Sequence, residues 1–145
     1  MPVTSLLFAA CTEGTVLHSY KPLSAEGWER CDTVCFDLPK AVEDFNGTLT
    51  IGLRTIAYVG MQDIVLAVEQ SGEATGVCRC DTIRYPLTDS EGDALAAGIN
   101  NHQYETQHLP ISMKKGQGGI VRIHHLMTPE VISGITEIGI RIERK

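Results

Sequence analysis

Apolar and polar residues alternate along most of the chain beyond residue 30. The alternation has a period of two, which is typical of β-strands that bury one face and expose the other. The apolar rows are Val34, Phe36 and Leu38; Leu49, Ile51 and Leu53; Ile64, Leu66 and Val68; Ile83, Tyr85 and Leu87; Val121 and Ile123; and Ile138, Ile140 and Ile142. The pattern predicts a sheet-rich protein with these rows in its core.

Turn-forming residues separate the strand-like segments. They lie at positions 46–47, 71–72, 89–92, 100–101 and 115–119. Only residues 129–134 predict a short helical turn, with Thr128 as N-cap, Pro129 in the first position and Gly134 as the stop. About eight short strands without long helices predict an all-β fold, an antiparallel β-sandwich of the jelly-roll or Greek-key type.

Length and charge limit the classes of partner. A chain of 145 residues buries enough surface to form one domain without metals or disulfides. The net charge is -6, and the 12 basic residues are spread along the sequence without runs. This argues against nucleic acid and against an anionic membrane surface as partners. No apolar stretch reaches the length of a membrane-spanning helix.

Small residues precede a cysteine near the amino terminus, in the segment Leu7-Phe8-Ala9-Ala10-Cys11. The segment resembles a bacterial lipobox and predicts that Cys11 carries a covalent lipid. Residues 1–10 would then be the remainder of a signal peptide that the given start truncates, because they hold no basic residue and only a short apolar run. Residues 11–145 would form the single sandwich domain. The alternative is a disordered terminus with a chance cysteine.

Four further cysteines, Cys31, Cys35, Cys78 and Cys80, allow three pairings. Their C-x3-C and C-x-C spacings lack the paired C-x2-C knuckles of strong zinc sites. A cross-strand disulfide and buried free thiols are the two favoured states. We expect no metal and no cofactor apart from the lipid on Cys11.

Other candidate chemistry is weak. His124 and His125 are neighbours that would face opposite sides of a strand. Acidic residues alternate at Asp89, Glu91 and Asp93, but they lack the register of a calcium loop, so a solvated turn is favoured. No nucleophile elbow, zinc helix or phosphate-binding glycine loop is present in the sequence. The sequence leaves open a carboxylate pair of the glycoside hydrolase type, because strands bring distant residues together, and an envelope hydrolase is therefore a third alternative. Nothing in the sequence supports such a pair, so we expect no enzymatic activity and name no catalytic residue.

The most specific motif covers residues 81–92, with the sequence DTIRYPLTDSEG. It resembles the D-T-x-x-[YF]-x-L-x-D-x-x-G segment of the GldH family of gliding-motility lipoproteins, found in the Bacteroidota. The early tryptophan Trp28, the strand-like LTIGLR that ends in Arg54, and the stretch from His125 to Ile140 are also similar to that family. One departure is that residues 94–96 are Ala-Leu-Ala where relatives often have a tryptophan.

The resemblance implies a non-catalytic envelope lipoprotein that faces the periplasm or the cell surface. Its implied partners are the membrane, through the lipid anchor, and other envelope proteins of the gliding motility or type IX secretion apparatus. The alternative function is a cell-surface carbohydrate-binding sandwich, in which Trp28 and one or more tyrosines would line an open groove.

Four polar or aromatic residues are candidates for binding or structural roles: Arg54, Trp28, Asp81 and Asp89. Arg54 stands in a strand otherwise lined by Leu and Ile. We expect it to pair with an acidic residue, Asp81 or Glu137, in preference to serving recognition.

Overall fold

The computed structural model describes residues 14–56, 60–73, 78–91, 93–95, 101–106 and 108–145, without the side chains of residues 78, 101 and 102. All regular structure within these residues is β-strand, so the all-β prediction is confirmed. The strands are β1 (Thr15–Pro22), β2 (Trp28–Glu29), β3 (Val34–Leu38), β4 (Phe45–Ile56), β5 (Asp63–Gly72), β6 (Cys78–Pro86), β7 (Asn101–Glu105), β8 (Leu109–Met113), β9 (Gly119–His125), β10 (Val131–Ile132) and β11 (Ile135–Arg144).

The strands form two antiparallel sheets. Sheet I has the order β1-β11-β4, and both β7 and β8 pair with β4 along its free side. Sheet II has the order β3-β9-β5-β6. The short strands β2 and β10 pair with each other in a separate ribbon. The neighbours within each sheet are mostly far apart in sequence, as expected for a sandwich with crossing connections.

The core lies between the inner faces of the two sheets. The fully buried rows come from β4 and β11 of sheet I and from β5 and β9 of sheet II; they are Leu49, Ile51, Leu53, Ile138, Ile140, Ile142, Ile64, Leu66, Val68, Val121 and Ile123. The predicted rows of these four strands are thus confirmed as core, as are Val34, Phe36, Ile83 and Leu87, whereas Leu38 and Tyr85 are only partly buried against it. Burial of each such side chain contributes roughly 1.5–3 kcal/mol of transfer free energy.

The helical turn predicted for residues 129–134 is wrong. Residues 128–130 form a bend, and Val131 and Ile132 continue as β10. Ile132 pairs with Trp28 and is buried, while the Arg30 N–H donates to the Glu130 carbonyl at 2.7 Å. A single helical turn closes few hydrogen bonds for the backbone entropy it costs. Pairing with β2 satisfies the same backbone and buries Ile132 as well.

One end of the sandwich brings several connections together. Here β1 begins and β11 ends, with Thr15 opposite Glu143. The connections 39–44, between β3 and β4, and 114–118, between β8 and β9, cross at the same end and meet through a bridge of Ala41 and Lys115. We call the residues 14–15, 39–46, 112–118 and 143–145 the basal end.

Candidate functional site

A row of four aligned residues crosses the outer face of sheet I. Tyr20, Gly139, Gly52 and Glu105 are consecutive partners on β1, β11, β4 and β7. The ring of Tyr20 lies across both glycines: a Cβ at Gly139 would stand 2.6 Å from Tyr20 Cγ, and a Cβ at Gly52 would stand 2.9 Å from Tyr20 Cζ. The two glycines therefore make room for the ring, because any side chain there would collide with it.

Arg54 covers the other face of this ring. Its guanidinium carbon lies 3.8 Å from the centroid of the Tyr20 ring, and its Nη1 lies 3.2 Å from Glu137 Oε2. The contact is a cation–π interaction, and the ion pair with Glu137 holds the guanidinium over the ring. Glu137 is one of the two acidic partners named from the sequence. The other, Asp81, pairs instead with Arg79 on its own strand at 2.9 Å.

A second ion pair lies on the opposite side of the tyrosine. Arg141 Nη2 lies 2.6 Å from Glu105 Oε2, and Arg141 Nε is 3.5 Å from Glu143 Oε1. Burial raises the pKa of the Tyr20 phenol, Arg54 opposes that shift, and Glu105 adds to it. The phenol is therefore neutral at physiological pH. We name Tyr20, Arg54, Glu137, Arg141 and Glu105 the Tyr20 platform.

The charged side chains of the platform are partly exposed. Side-chain exposure is 39% for Arg54 and 32% for Glu137, and 29% for Arg141 and 38% for Glu105. Half-exposed ion pairs contribute little to stability, roughly 0–1 kcal/mol. Their main effect is to fix the geometry of a surface that presents arginine and tyrosine to solvent.

Trp28 is a core residue. It is fully buried, its Nε1–H donates to the Asp32 carbonyl at 2.8 Å, and its ring meets His125 edge-on with centroids 5.3 Å apart. A fully buried indole offers no face to a sugar. The glycan-binding alternative therefore loses the tryptophan platform on which it depended.

His125 is held as a neutral imidazole. Its Nδ1 accepts from the Met127 N–H at 3.2 Å, and its Nε2–H donates to the Trp28 carbonyl at 3.0 Å. Burial lowers the pKa of His125, and the hydrogen bond to Trp28 opposes this shift. Nε2 thus fastens β2 to the end of β9 in sheet II, and Nδ1 holds the connection that follows β9, so both ring nitrogens have structural roles.

Asp89 organises the turn that follows β6. Its Oδ1 accepts from the backbone N–H of Glu91 and of Asp93, both at 2.9 Å. The carboxylate oxygens of the three residues lie within 4.8 Å of one another. The two backbone bonds explain the position of Asp89 as an Asx turn, in agreement with the solvated turn favoured from the sequence. Gly92, the last residue of the motif, lies outside the described residues.

The cysteines within the described part of the chain are free thiols. Cys31, Cys35 and Cys80 are exposed, in contrast to the buried state that was one expectation. Cys35 and Cys80 occupy one row on opposite edges of sheet II, three strand spacings apart, about 14 Å. That separation excludes a disulfide between them. Cys11 and the side chain of Cys78 lie outside the described residues, so the lipid on Cys11 stays a prediction.

A cleft of about 370 Å³ lies near the basal end, between β8 and the adjoining ends of β5 and β9. Its apolar lining includes Leu38, Ile111 and Met113. Two of its polar side chains already have partners within the protein: Gln70 Nε2 donates to the Pro110 carbonyl at 3.2 Å, and Arg79 pairs with Asp81. The cleft therefore offers few free polar groups with which to orient a ligand.

Sequence inspection located Arg54 but missed the platform around it. The missing information is the register that aligns β1, β11 and β4, whose residues are more than 30 positions apart in the chain. The available signal was Gly52 and Gly139, each a glycine inside an apolar strand, which marks a close approach. Within the described residues, no helix is long and apolar enough to cross a bilayer.

Comparison with known proteins identifies relatives across almost the whole chain. The family described as GldH lipoprotein matches residues 15–142. The gliding motility lipoprotein GldH of Flavobacterium johnsoniae is 23% identical over 153 residues, covering 99% of this chain and 93% of that protein.

Similar solved structures are more distant. A CBM35 module from Cellvibrio japonicus is 12% identical, with a TM-score of 0.43 over 81% of this chain and 69% of that one. A CocE/NonD family hydrolase from Staphylococcus aureus is 9% identical, with a TM-score of 0.47 over 91% of this chain and 34% of that one. We draw no functional conclusion from either.

Proposed function

The chain belongs to the GldH lipoprotein family, and on that premise we propose that it is a non-catalytic envelope lipoprotein that acts in or alongside the gliding apparatus through protein contacts. The observation that carries the proposal is the extent of the family match, which runs from the first residue of β1 to Ile142 near the end of β11. It therefore includes every described strand except the last two residues of β11, and the sandwich is the unit shared with the family.

The proposed attachment is a covalent lipid on Cys11, following a signal segment at residues 1–10. Cys11 stands only four residues before Thr15, where β1 begins. A lipid at that position would hold the domain, residues 11–145, close to a membrane, facing the periplasm or the cell surface.

The proposed contact surface is the Tyr20 platform. Arginine and tyrosine are the residues most enriched at protein interfaces, and contacts between pre-ordered side chains lose little entropy on binding. Arg54 and Tyr20 meet both conditions, because stacking and the Glu137 ion pair fix them while leaving them partly exposed. The proposed partner is another envelope protein of the gliding or type IX secretion machinery.

A non-catalytic role is consistent with the state of the carboxylates on this surface. Glycoside hydrolysis requires one carboxylic acid kept protonated by an apolar pocket and a second carboxylate beside it. Glu137 and Glu105 lie on an open sheet face, each paired with an arginine. That arrangement is suited to recognition by charge and shape.

Affinity purification from gently solubilised membranes of the native host tests the proposal. The bait proteins are the full-length chain, Cys11→Ala, Arg54→Glu and Arg84→Glu. Arg84 is the matched control, because it is an exposed arginine on the outer face of sheet II with its own ion pair to Asp63 at 2.7 Å. Co-purified proteins are identified by mass spectrometry.

We expect the full-length chain and Arg84→Glu to enrich the same gliding or secretion proteins, and Arg54→Glu to lose them. Cys11→Ala is expected to leave the membrane as a folded soluble domain. If Arg54→Glu retained the same partners, the contact would lie on a surface other than the Tyr20 platform. A clean preparation of the full-length protein without any such partner would contradict the assembly role itself.

A further inference from the structure

The lysines of this acidic protein are concentrated at the basal end. Four of the five lysines in the chain lie there, together with one arginine: Lys40, Lys114, Lys115, Lys145 and Arg144. Lys40 and Lys115 flank the bridge at Ala41, and the N–H of Lys145 donates to the Asn46 carbonyl at 3.1 Å. These residues come from three distant parts of the sequence. The cluster therefore does not show as a run of basic residues and could not be seen before the fold was known.

Four acidic side chains lie at or beside this end: Glu43, Asp44, Glu143 and Glu73, whose Oε1 accepts from the Gly118 N–H at 2.7 Å. Arg144 pairs with Glu43 at 3.2 Å, and Lys114 lies 4.0 Å from Asp44, with both of the latter side chains about two-thirds exposed. Glu143, also at this end, pairs with Arg141 of the platform. The ammonium groups of Lys40, Lys115 and Lys145 have no carboxylate within 4.0 Å among the residues that the structure describes. The basal end thus has five basic side chains against four acidic ones on a chain of net charge -6, and three of its lysines are available to bind phosphate.

An apolar side chain protrudes among these lysines. Val42 is 73% exposed, the highest value among the exposed large hydrophobic residues of the described chain. It stands in the connection 39–44, two residues after Lys40. A protruding apolar residue with lysines around it is the combination that binds at the headgroup boundary of a bilayer.

The tether emerges at the same end. The Gly14 carbonyl accepts from the Arg144 N–H at 2.8 Å, which fixes the start of the described chain beside β11. Cys11 to Thr15 is four residues, which span at most about 14 Å when fully extended. A lipid on Cys11 would therefore hold the basal end close to the membrane surface.

We propose that the basal end docks on an anionic phospholipid bilayer, with Lys40, Lys115 and Lys145 at the lipid phosphates and Val42 at the headgroup boundary. The orientation rests on the proposed anchoring at Cys11. The strands would then stand away from the membrane, and the Tyr20 platform, on the outer face of sheet I, would stay accessible to a protein partner. The sequence argued against an anionic membrane partner only because it did not show the lysines together.

Vesicle binding of the unlipidated full chain, Cys11→Ala, tests the surface independently of the anchor. Vesicles of phosphatidylcholine are compared with mixed phosphatidylcholine and phosphatidylglycerol vesicles by co-sedimentation at low and high salt. Each basic residue near an anionic surface is worth roughly fivefold in partitioning. We expect Lys40→Gln/Lys115→Gln/Lys145→Gln to weaken binding to the anionic vesicles by roughly 100-fold, and salt to weaken the parent protein similarly.

The matched control is Arg30→Gln/Arg84→Gln/Arg122→Gln, which removes the same charge outside the basal end and is expected to bind as the parent does. A second pair of variants tests the apolar contact. Val42→Asp is expected to bind the anionic vesicles less than Val131→Asp does. Val131 is the control because it is also an exposed valine, 46% accessible, and lies at the opposite end. Thermal unfolding verifies that each variant is folded. Equal binding of the two triple variants, or no preference of the parent for anionic vesicles, would overturn the proposal.

The mass of the Cys11 peptide from the native host tests the anchor separately. A lipidated Cys11 combined with failed vesicle binding would leave the proposed function standing and remove the docking surface. Lysine-dependent vesicle binding without a lipid on Cys11 would keep the docking surface and remove the anchor.

Discussion

Single residues of the platform are constrained by packing more than by charge. Gly139 has no room for a Cβ because Tyr20 Cγ would lie 2.6 Å away. We expect Gly139→Ala to lower the free energy of unfolding by about 1–3 kcal/mol, the usual cost of overpacking. Urea unfolding measures the loss. In the Tyr20→Ala background the same substitution is expected to be nearly neutral, and equal losses in both backgrounds would show that the ring is not the obstacle.

His125 is expected to make stability depend on pH. Burial lowers its pKa below the ordinary value of 6.5, so the unfolded state binds the proton more readily than the folded state does. The contribution is fully present above pH 6.5 and is lost as the pH falls through the folded-state pKa. We expect urea unfolding to show this decline for the wild type and for His124→Asn, and to show it reduced for His125→Asn. An unchanged slope for His125→Asn would assign the pH dependence to other groups.

At the scale of elements, alternation was sufficient to find the strands with one fully buried face. β4, β5, β9 and β11 each carry an unbroken apolar row, because their inner faces see only the opposite sheet. β1 and β7 lie at the edges of sheet I, and their rows are broken by polar residues. The edge strands β3 and β6 of sheet II keep a period-two row, so the weak pattern is specific to β1 and β7. Period-two patterning also holds no information about which strands pair. The Tyr20 platform depends on that pairing and could not be found from the sequence.

Residues 131 and 132 allow a test that distinguishes strand β10 from the helical turn predicted from the sequence. In β10, Ile132 points into the core and is 5% exposed, while its neighbour Val131 is 46% exposed. We expect Ile132→Ala to cost about 2–4 kcal/mol of unfolding free energy, the usual loss for a buried large-to-small change. Val131→Ala is expected to change it by less than about 0.5 kcal/mol. Similar losses at both positions would contradict the alternation of a strand.

At the scale of the whole molecule, the sandwich separates two surfaces with different chemistry. The basal end has exposed lysines and Val42, and the outer face of sheet I has paired arginines and glutamates around Tyr20. The strands of sheet I run from the basal end to the opposite end of the molecule. The basal end therefore faces along the strands, whereas the Tyr20 platform faces outward from the sheet, perpendicular to them. Membrane docking and protein binding can therefore occur together without competing for the same residues.

This arrangement predicts a standing orientation on the membrane. The ten residues of β11 extend over about 30 Å, which separates the basal end from the opposite end. A fluorophore at Ser112→Cys, near the basal end, is expected to be quenched strongly by headgroup-bound acceptors, and one at Ser133→Cys only weakly. The exposed native thiols Cys31, Cys35 and Cys80, together with Cys78, are first replaced by serine in both proteins.

The orientation is expected to depend on the lysines and not on the tether alone. In lipidated protein, Lys40→Gln/Lys115→Gln/Lys145→Gln would remain on the membrane but lose the fixed direction, so the quenching at the two labels would become more alike. A lipid on a short segment limits distance without fixing angle, whereas several charges on a rigid surface fix both. Strong and equal quenching at both ends in the wild type would indicate a sandwich lying flat, with one sheet face, and with it a different set of residues, against the bilayer.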